Sequence, residues 1–150
     1  MPHLVVRVGP DDFDPAAELA ALEGLPGGAV ASFTGLVRDD GGLQALHLEH
    51  YPAMTERQIR EVVALAADRW PLLGVTVIHR HGTLGVGTRI VFVGTASSHR
   101  TAALEACTFL IDWLKVSAPF WKRTIRHDGS GEWVEAAAGD DDRAARWTRD

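Results

Sequence analysis

The chain has 150 residues, of which 46% are hydrophobic and 23% charged, the balance of an ordinary globular protein. Its formal net charge of -5 argues against a general nucleic-acid binder, and its single cysteine, Cys107, excludes an internal disulfide or a CxxC pair. Cys107 lies among apolar neighbours, so we interpret it as a core residue. We expect no signal peptide, and no apolar run reaches roughly 18 residues. We therefore expect one cytoplasmic domain over residues 1–150, with no membrane span.

The beginning of the chain predicts a strand followed by a helix. HLVVRV at residues 3–8 has the β-branched content of a strand. Asp14 and Pro15 then supply an N-cap and a first-turn proline. We expect the helix to run to about Glu23 and to end at Gly24.

A hairpin is predicted next. Residues 29–38 form an apolar, β-branched run, and the Asp39-Asp40-Gly41-Gly42 segment that follows is typical of a turn. Residues 43–51 alternate well enough to be a strand. We therefore expect them to return beside the preceding strand.

The clearest helix signal begins at Thr55. Thr55 and Gln58 match a capping box, and Pro71 marks the end of the helix. One apolar stripe at helical spacing indicates the face that should be buried: Ile59, Val62, Val63, Ala66 and Trp70.

Two strands and a second long helix are predicted after it. Residues 75–81 and 90–96 are typical of strands, the latter buried on both faces, and glycine-rich residues 82–88 predict a loop between them. The helix should begin at a cap on Ser97 or Ser98 and stop before Pro119. Its inward face is predicted to hold Leu104, Cys107, Leu110 or Ile111, and Leu114.

The end of the chain predicts a second hairpin and a polar tail. Residues 120–126 and 132–136 flank the turn segment Asp128-Gly129-Ser130-Gly131. The tail at 137–150 is either loose or a short helix docked by Trp147. The sum is an α+β fold, with a mostly antiparallel sheet and two principal helices.

Lys115 and Lys122 are the only lysines, although the chain has 15 basic lysine and arginine side chains. Arginine does not give up its proton in a protein, whereas a partly buried lysine can serve as a nucleophile or proton shuttle. The alternative is two ordinary surface lysines, with Lys115 at a helix C-terminus whose dipole favours a cation. Composition alone does not decide between these interpretations.

Other basic residues suggest an anion site. His99 and Arg100 stand at a predicted helix N-terminus, where positive charge is sensible if an anion binds. The alternative is that the Arg100 side chain turns away from the helix N-terminus and pairs with an acidic residue on a neighbouring strand. Arg38, at a strand end, is a second anion candidate unless it is simply solvated. His79 and His81 alternate along one strand without a third ligand, so we interpret them as structural or surface residues rather than a metal site.

Five segments resemble a known family in order: GLVRDD at 35–40, LEHYPAMTE at 48–56, VIHRHG at 77–82, SSHRTAALEA at 97–106 and LKVSAPFWKR at 114–123. Together they resemble the catalytic large subunit of molybdopterin synthase, the MoaE family, over about residues 28–136. The resemblance implies an α/β hammerhead-type fold with a small extra β-subdomain. It also implies a sulfurtransferase that converts cyclic pyranopterin monophosphate to molybdopterin. The sulfur would come from the C-terminal thiocarboxylate of a small ubiquitin-like subunit.

The resemblance also implies roles for individual residues. Lys115 and Lys122 match two catalytic lysines that also bind substrate. Lys115 would be nearest the sulfur transfer, as an acid–base group or as covalent acceptor of the partner's tail. The other implied substrate-binding residues are Phe33, Arg38, His99, Arg100, Arg123 and Thr124. Since the family's site lies near a dimer interface, His99 and Arg100 are expected to serve a second protomer's lysines. Thr124 and Ile111 depart from the family, which commonly has an acid and a methionine there.

The same resemblance implies an assembly: a homodimer of large subunits within a heterotetramer, with one small subunit at each end. No metal and no cofactor are expected on this chain. Two alternatives remain open. One is a non-catalytic subunit that binds the partner or an anion, and the other is a lysine Schiff-base enzyme with another phosphorylated substrate.

Overall fold

The computed structural model describes residues 1–134, 143, 145 and 147. Within these residues the helices are α1 (Pro15–Glu23), α2 (Met54–Arg69) and α3 (Arg100–Val116). The strands are β1 (His3–Gly9), β2 (Ala29–Leu36), β3 (Leu43–His50), β4 (Leu72–Arg80), β5 (Gly82–Gly85), β6 (Arg89–Ser97), β7 (Phe120–Arg126) and β8 (Trp133–Val134). The predicted α+β class is confirmed, and two of the three helices are long.

The strands form two four-stranded sheets. The first has the order β1-β4-β6-β2, in which β1 pairs with β4 in parallel and the other pairs are antiparallel. The second has the order β5-β3-β7-β8 and is antiparallel throughout. It corresponds to the small β-subdomain that the resemblance implies.

Helices cover both faces of the first sheet. Val75, Val77, Val91 and Val93 belong to the larger core cluster, together with the apolar stripes of α2 and α3. Ile78 and Phe92 point the other way and pack with Leu22 of α1. This alternation confirms that β6 is buried on both faces. The packing of α1 is close, because a Cβ on Gly94 would lie 2.5 Å from Leu22 Cδ1.

Helix α1 follows its local signals, as predicted. The side chain of Asp14 accepts a hydrogen bond from the Ala16 N–H, Pro15 is the first residue, and Gly24 is the C-cap. The stripe of α2 is also confirmed at Ile59, Val62, Val63 and Ala66, which are buried. Trp70, the fifth predicted member, lies at the C-cap after the end of the helix and is only partly buried.

The first predicted hairpin is wrong. β2 pairs with β6 in the first sheet, whereas β3 pairs with β5 and β7 in the second. The turn segment between them therefore carries the chain from one sheet to the other. It is held against β7 by the ion pair between Asp40 and Arg126, at 3.0 Å.

Both predicted serine or threonine caps on the long helices are wrong. Thr55 lies inside α2, fully buried, and its hydroxyl bonds to the backbone of Tyr51 and Pro119 instead of to its own helix. The N-cap of α3 is His99, and Ser97 donates a hydrogen bond to the Pro71 carbonyl. In both places a tertiary bond competes with the local cap.

Three further expectations are corrected or confirmed. Residues 82–85 of the predicted loop form β5, which pairs with β3. Leu104 does not face inward, because it is 57% exposed, while Cys107 and Leu110 are buried as predicted. The second hairpin is confirmed as β7 and β8, in a shorter form. Its last predicted residues, 135–136, lie outside the described part of the chain.

The end of the chain is anchored at Trp147. Its indole ring packs against Trp70 and Phe109, and its Nε1–H donates a hydrogen bond to Asp112 Oδ2 at 2.7 Å. This agrees with the docked alternative for the tail. Most of residues 137–150 lie outside the described residues.

No helix within the described residues combines the length and the hydropathy that crossing a membrane would require.

Candidate active site

The two lysines of the chain border the same cavity. It has a volume of about 130 Å³ and lies where α3 and the first sheet meet the second sheet. Lys115 reaches it from the last turn of α3, and Lys122 reaches it from β7. Lys122 is partly buried, whereas Lys115 is exposed as a residue. The remaining lining residues are His79, Ile90, Val91, Leu114, Val116, Ala118, Phe120 and Val134.

A short, fixed turn separates the two lysine-bearing elements. Helix α3 ends at Val116, and the Ser117 N–H donates to the Trp113 carbonyl at 2.7 Å. The Thr55 hydroxyl then donates to the Pro119 carbonyl at 3.2 Å, just before β7 begins. This bond connects α2 to the turn, so three elements determine where the lysines meet.

His79 is the functional candidate that the sequence analysis missed. It lies on β4 in the cavity wall, only 6% exposed, with its ring stacked on Phe120 at a centroid distance of 3.8 Å. Its Nδ1 lies 2.8 Å from the Arg80 carbonyl oxygen. Burial lowers the pKa of His79 to about 3, and the ammonium groups of Lys122 and Lys115 contribute in the same direction. The ring is therefore neutral at pH 7.

His81 was predicted to lie on the same strand, but it follows the end of β4 and has a different environment. It stacks on His50 at 3.9 Å, and burial followed by the charge of His50 lowers its pKa. Among the described residues, no three His, Cys, Asp or Glu side chains are grouped as metal ligands.

Phe33 lies next to the cavity rather than in it. It lines a small adjoining pocket with Ile111 and Lys115, so Lys115 borders both spaces. Arg38 comes two residues after the end of β2. The last residue of β2, Leu36, pairs with Arg89, which precedes the cavity residue Ile90. Arg38 therefore lies at the end of the first sheet that borders the cavity. Arg38 itself is exposed and is not a lining residue.

His99 and Arg100 lie at the far end of α3 from Lys115. Fifteen residues separate Arg100 from Lys115, which at helical rise is about 22 Å. Both residues are exposed, and no acidic residue occupies the first turn of α3. Within one chain, therefore, the structure does not bring this predicted anion site to the lysines.

Arg123 and Thr124 follow Lys122 on β7 but face different surroundings. Successive strand residues point to opposite faces, so Arg123 faces away from the cavity, beside Trp133. The Thr124 hydroxyl is occupied by the second hairpin, because it accepts from the Glu132 N–H at 3.0 Å. Neither residue lines the lysine cavity.

Cys107 is a core residue, as predicted. It is 5% exposed, and burial raises the pKa of its thiol to about 12. A thiol with this pKa holds almost no thiolate at neutral pH.

Comparison with known proteins gives the family. The protein-family model described as MoaE protein matches residues 8–117 of this chain. The molybdopterin synthase catalytic subunit of Mesorhizobium japonicum is 56% identical over 146 residues, covering 95% of this chain and 92% of that protein. The molybdopterin biosynthesis MoaE protein from Burkholderia ambifaria superposes with a TM-score of 0.83 at 43% identity, covering 100% of both chains.

A more distant structure shares the fold. It is a complex of subunits 1 and 2 of molybdopterin-converting factor from Helicobacter pylori, matched with a TM-score of 0.68 at 23% identity over 90% of each chain. The resemblance of the five sequence segments is thus confirmed over nearly the whole length, and the chain belongs to the MoaE family of molybdopterin synthase catalytic subunits.

Proposed function

We propose that this chain transfers sulfur to cyclic pyranopterin monophosphate from the C-terminal thiocarboxylate of a small ubiquitin-like subunit, giving molybdopterin. The observation that carries the proposal is the meeting of Lys115 and Lys122 at one cavity. The chain has no other lysine, and the two come from different layers of the fold. An ammonium pair of this kind suits an anionic substrate and an anionic sulfur donor.

The chemistry of a thiocarboxylate explains why a lysine is useful. Once its sulfur has bonded to a substrate carbon, the acyl C–S bond must break, leaving the thiolate on the pterin. That bond breaks when a nucleophile attacks the acyl carbon and expels the thiolate. Water gives the carrier carboxylate, and a lysine amine gives an amide to the carrier tail. Lys115 serves either as acid–base group for the first route or as nucleophile for the second, while Lys122 assists and holds charge.

We assign the substrate phosphate to the remaining basic residues. Arg38 lies at the cavity end of the first sheet, whereas His99 and Arg100 lie about 22 Å along α3 from Lys115. The two sets can act on one substrate when a second copy of the chain presents its α3 N-terminus to the lysines of the first. This is the basis for proposing a homodimer. Arg123 and Thr124 stay predictions as substrate contacts, although neither lines the cavity.

The sulfur carrier is proposed as the partner. Support comes from the related Helicobacter pylori structure, which is a complex of two different subunits. Val134 of β8 lines the cavity and is 45% exposed, so within the described residues the wall is accessible at this side chain. An extended carrier tail can approach there.

A single-turnover assay tests the reaction. The purified chain is mixed with thiocarboxylated small subunit and cyclic pyranopterin monophosphate, and dithiolene product is measured. We expect Lys115→Ala to lower the rate at least about 100-fold and Lys122→Ala to lower it severely. Lys115→Arg keeps the charge but removes the transferable proton, so it should remain as slow as Lys115→Ala. Arg57→Ala, which removes an exposed cation 4.0 Å from Glu61, is the matched control and should turn over normally.

Two outcomes would contradict the proposal. Normal turnover by Lys115→Ala would remove that lysine from the reaction. Absence of product from the unmodified chain, with carrier binding intact, would instead favour the non-catalytic subunit. A borohydride trap separates the third possibility, because only a Schiff-base lysine would be labelled.

Mixing variants tests the shared site. Lys115→Ala and Arg100→Ala each disable one half of it, so each alone should be nearly inactive. After mixing and subunit exchange, mixed dimers contain one intact site, and we expect about a quarter of the original activity. If mixing restores no activity, either both residues act in the site of the same chain or neither acts in a shared site.

A further inference from the structure

One wall of the lysine cavity holds a buried side chain to which the proposed reaction gives no role. This is His79 of β4, which is only 6% exposed and lines the cavity together with Lys115 and Lys122. Among the described lining residues, all the others are apolar, so His79 supplies the uncharged polar group of the cavity. A buried imidazole is costly unless its nitrogens have partners, so each of the two nitrogens needs an explanation.

The first ring nitrogen is satisfied by the backbone. Nδ1 lies 2.8 Å from the Arg80 carbonyl oxygen, and a carbonyl oxygen only accepts hydrogen bonds, so the ring carries its proton on Nδ1. Burial, with the charges of the two cavity lysines, lowers the pKa of His79 to about 3, so the ring is neutral at pH 7. In this tautomer Nε2 has a lone pair and can only accept a hydrogen bond.

The second ring nitrogen is accessible from the cavity. Within the part of the chain that the structure describes, the Arg80 oxygen is the one hydrogen-bond partner of the His79 ring. No buried side-chain nitrogen or oxygen of the described residues lacks a partner, so Nε2 is not sealed in the core. The small exposed part of this ring therefore includes Nε2, and the surface that His79 reaches is the cavity wall.

The direction of Nε2 is fixed by contacts on the rest of the ring. Phe120 stacks on His79 nearly parallel, at a centroid distance of 3.8 Å and an angle of 17°. The Arg80 residue that accepts the Nδ1 proton is held in turn, since its guanidinium donates to the carbonyl oxygens of Pro10 and Arg89. A ring held on one face and one edge presents its remaining nitrogen in one direction.

The charges around the cavity limit what this nitrogen can bind. The ammonium groups of Lys115 and Lys122 disfavour a metal cation at Nε2 by like-charge repulsion. Phosphate, carboxylate and thiocarboxylate groups present lone pairs, which the lone pair of Nε2 repels and which the lysines attract. An uncharged N–H or O–H donor is the group that complements Nε2.

We propose that His79 is a substrate-binding residue whose Nε2 accepts a hydrogen bond from an uncharged N–H or O–H donor on the pterin part of the substrate. The inference rests on the proposed function, which it deepens by giving the orientation of the substrate. A pterin carries uncharged N–H donors on its ring system, and its flat shape suits a cavity whose other uncharged lining is apolar. The ring system would lie against the His79 wall, and the phosphate would point away from it.

Two substitutions separate the roles of the two ring nitrogens. His79→Asn places an amide donor near the Nδ1 position and keeps the bond to the Arg80 carbonyl, but it offers no acceptor at the Nε2 position. His79→Gln extends an amide oxygen to about the Nε2 position and loses the Arg80 bond. A purely structural role predicts rescue by asparagine, whereas a substrate contact predicts rescue by glutamine.

The first readout is substrate binding without the carrier, so that no sulfur is transferred. The dissociation constant of cyclic pyranopterin monophosphate is measured by equilibrium dialysis against the purified chain. We expect His79→Asn to weaken binding about tenfold, and His79→Gln to recover most of the affinity. His3→Asn, which changes an exposed histidine of β1, is the matched control and should bind normally. Unweakened binding by His79→Asn would overturn the proposal.

A second measurement leaves His79 in place, so it does not depend on the folding of the variants. The histidine rings are labelled with ¹⁵N, and the His79 signals are assigned by their loss in His79→Gln. Saturating substrate should move the Nε2 signal upfield, as expected for a nitrogen that accepts a hydrogen bond, while the Nδ1 signal changes little. An unchanged Nε2 signal would contradict the assignment.

Peptide N–H groups of a carrier tail are also uncharged donors, so the carrier is tested in a separate sample. A shift of the Nε2 signal with the carrier alone, and none with the substrate alone, would overturn the proposal and assign His79 to the carrier tail. If the unmodified chain does not bind the substrate, the proposed function and this inference both fail. If it binds and turns over the substrate while neither the affinity nor the Nε2 signal depends on His79, only this inference fails.

Discussion

Burial of His79 should make the stability of this protein sensitive to mild acid. The folded pKa is about 3, compared with the ordinary 6.5 of an exposed histidine. Between these values the unfolded chain binds a proton that the folded chain does not. Because the folded pKa is depressed, the contribution of His79 is fully present above about pH 6.5 and is lost progressively as the pH falls toward 3.

The magnitude follows from the two pKa values. At pH 5 the linkage relation gives a loss of about 2 kcal/mol from this one group, and the full difference down to pH 3 approaches about 5 kcal/mol. A loss of about 2 kcal/mol is a substantial fraction of the stability of a typical domain.

Urea denaturation of the unmodified chain and of His79→Phe at pH 7 and pH 5 provides the assay. Phenylalanine keeps a flat ring against Phe120 but cannot titrate. The two proteins share every other ionisable group, His81 included, so these contributions largely cancel in the comparison. We expect the unmodified chain to lose about 2 kcal/mol more than the variant. Losses that agree within about 0.5 kcal/mol would refute the reasoning.

Three further predictions concern residues around the site and the core. Thr55→Val leaves the partly buried Tyr51 N–H and Pro119 carbonyl without their hydroxyl partner and should lower the unfolding free energy by about 1–3 kcal/mol. Thr55→Ser should cost less, and an unchanged melting temperature for the valine variant would contradict the assignment. Trp147→Phe removes the indole donor to Asp112 and should cost about 1–2 kcal/mol by urea denaturation; no loss would mean that the bond contributes nothing. Cys107 should resist a thiol reagent until the chain unfolds, and rapid labelling of the folded protein would disprove its burial.

Much of the fold could be predicted from local signals, but the pairing of strands could not. Helix α1 is specified by Asp14, Pro15 and Gly24, which act within a few residues of themselves. The turn segment at 39–42 is also a local feature, yet it does not reveal that the strands on either side belong to different sheets. β3 pairs with β7, some seventy residues later in the chain, and no short-range sequence pattern predicts this pairing.

The candidate site shows the same division. Lys115 and Lys122 stand out in the sequence because every other Lys or Arg position is arginine. His79 does not stand out, since its neutrality arises from burial between elements that are distant in the chain. The signal that could have found it is the alternation of β4, which places His79 on the same side as Val75 and Val77. Thr55 was misassigned for a related reason, because its partner Pro119 is 64 positions away.

The lysine cavity belongs to neither sheet alone. His79 and Val91 come from the first sheet, Lys122 and Val134 from the second, and Lys115 from the helix between them. A partly unfolded form in which both sheets persisted but had separated would retain most of its secondary structure while having no cavity at all. On heating, catalytic inactivation should therefore precede or accompany the loss of circular dichroism and never follow it. Turnover in this protein therefore depends on how the two sheets pack against each other. Any condition that separates the sheets should inactivate the protein without altering a reacting group.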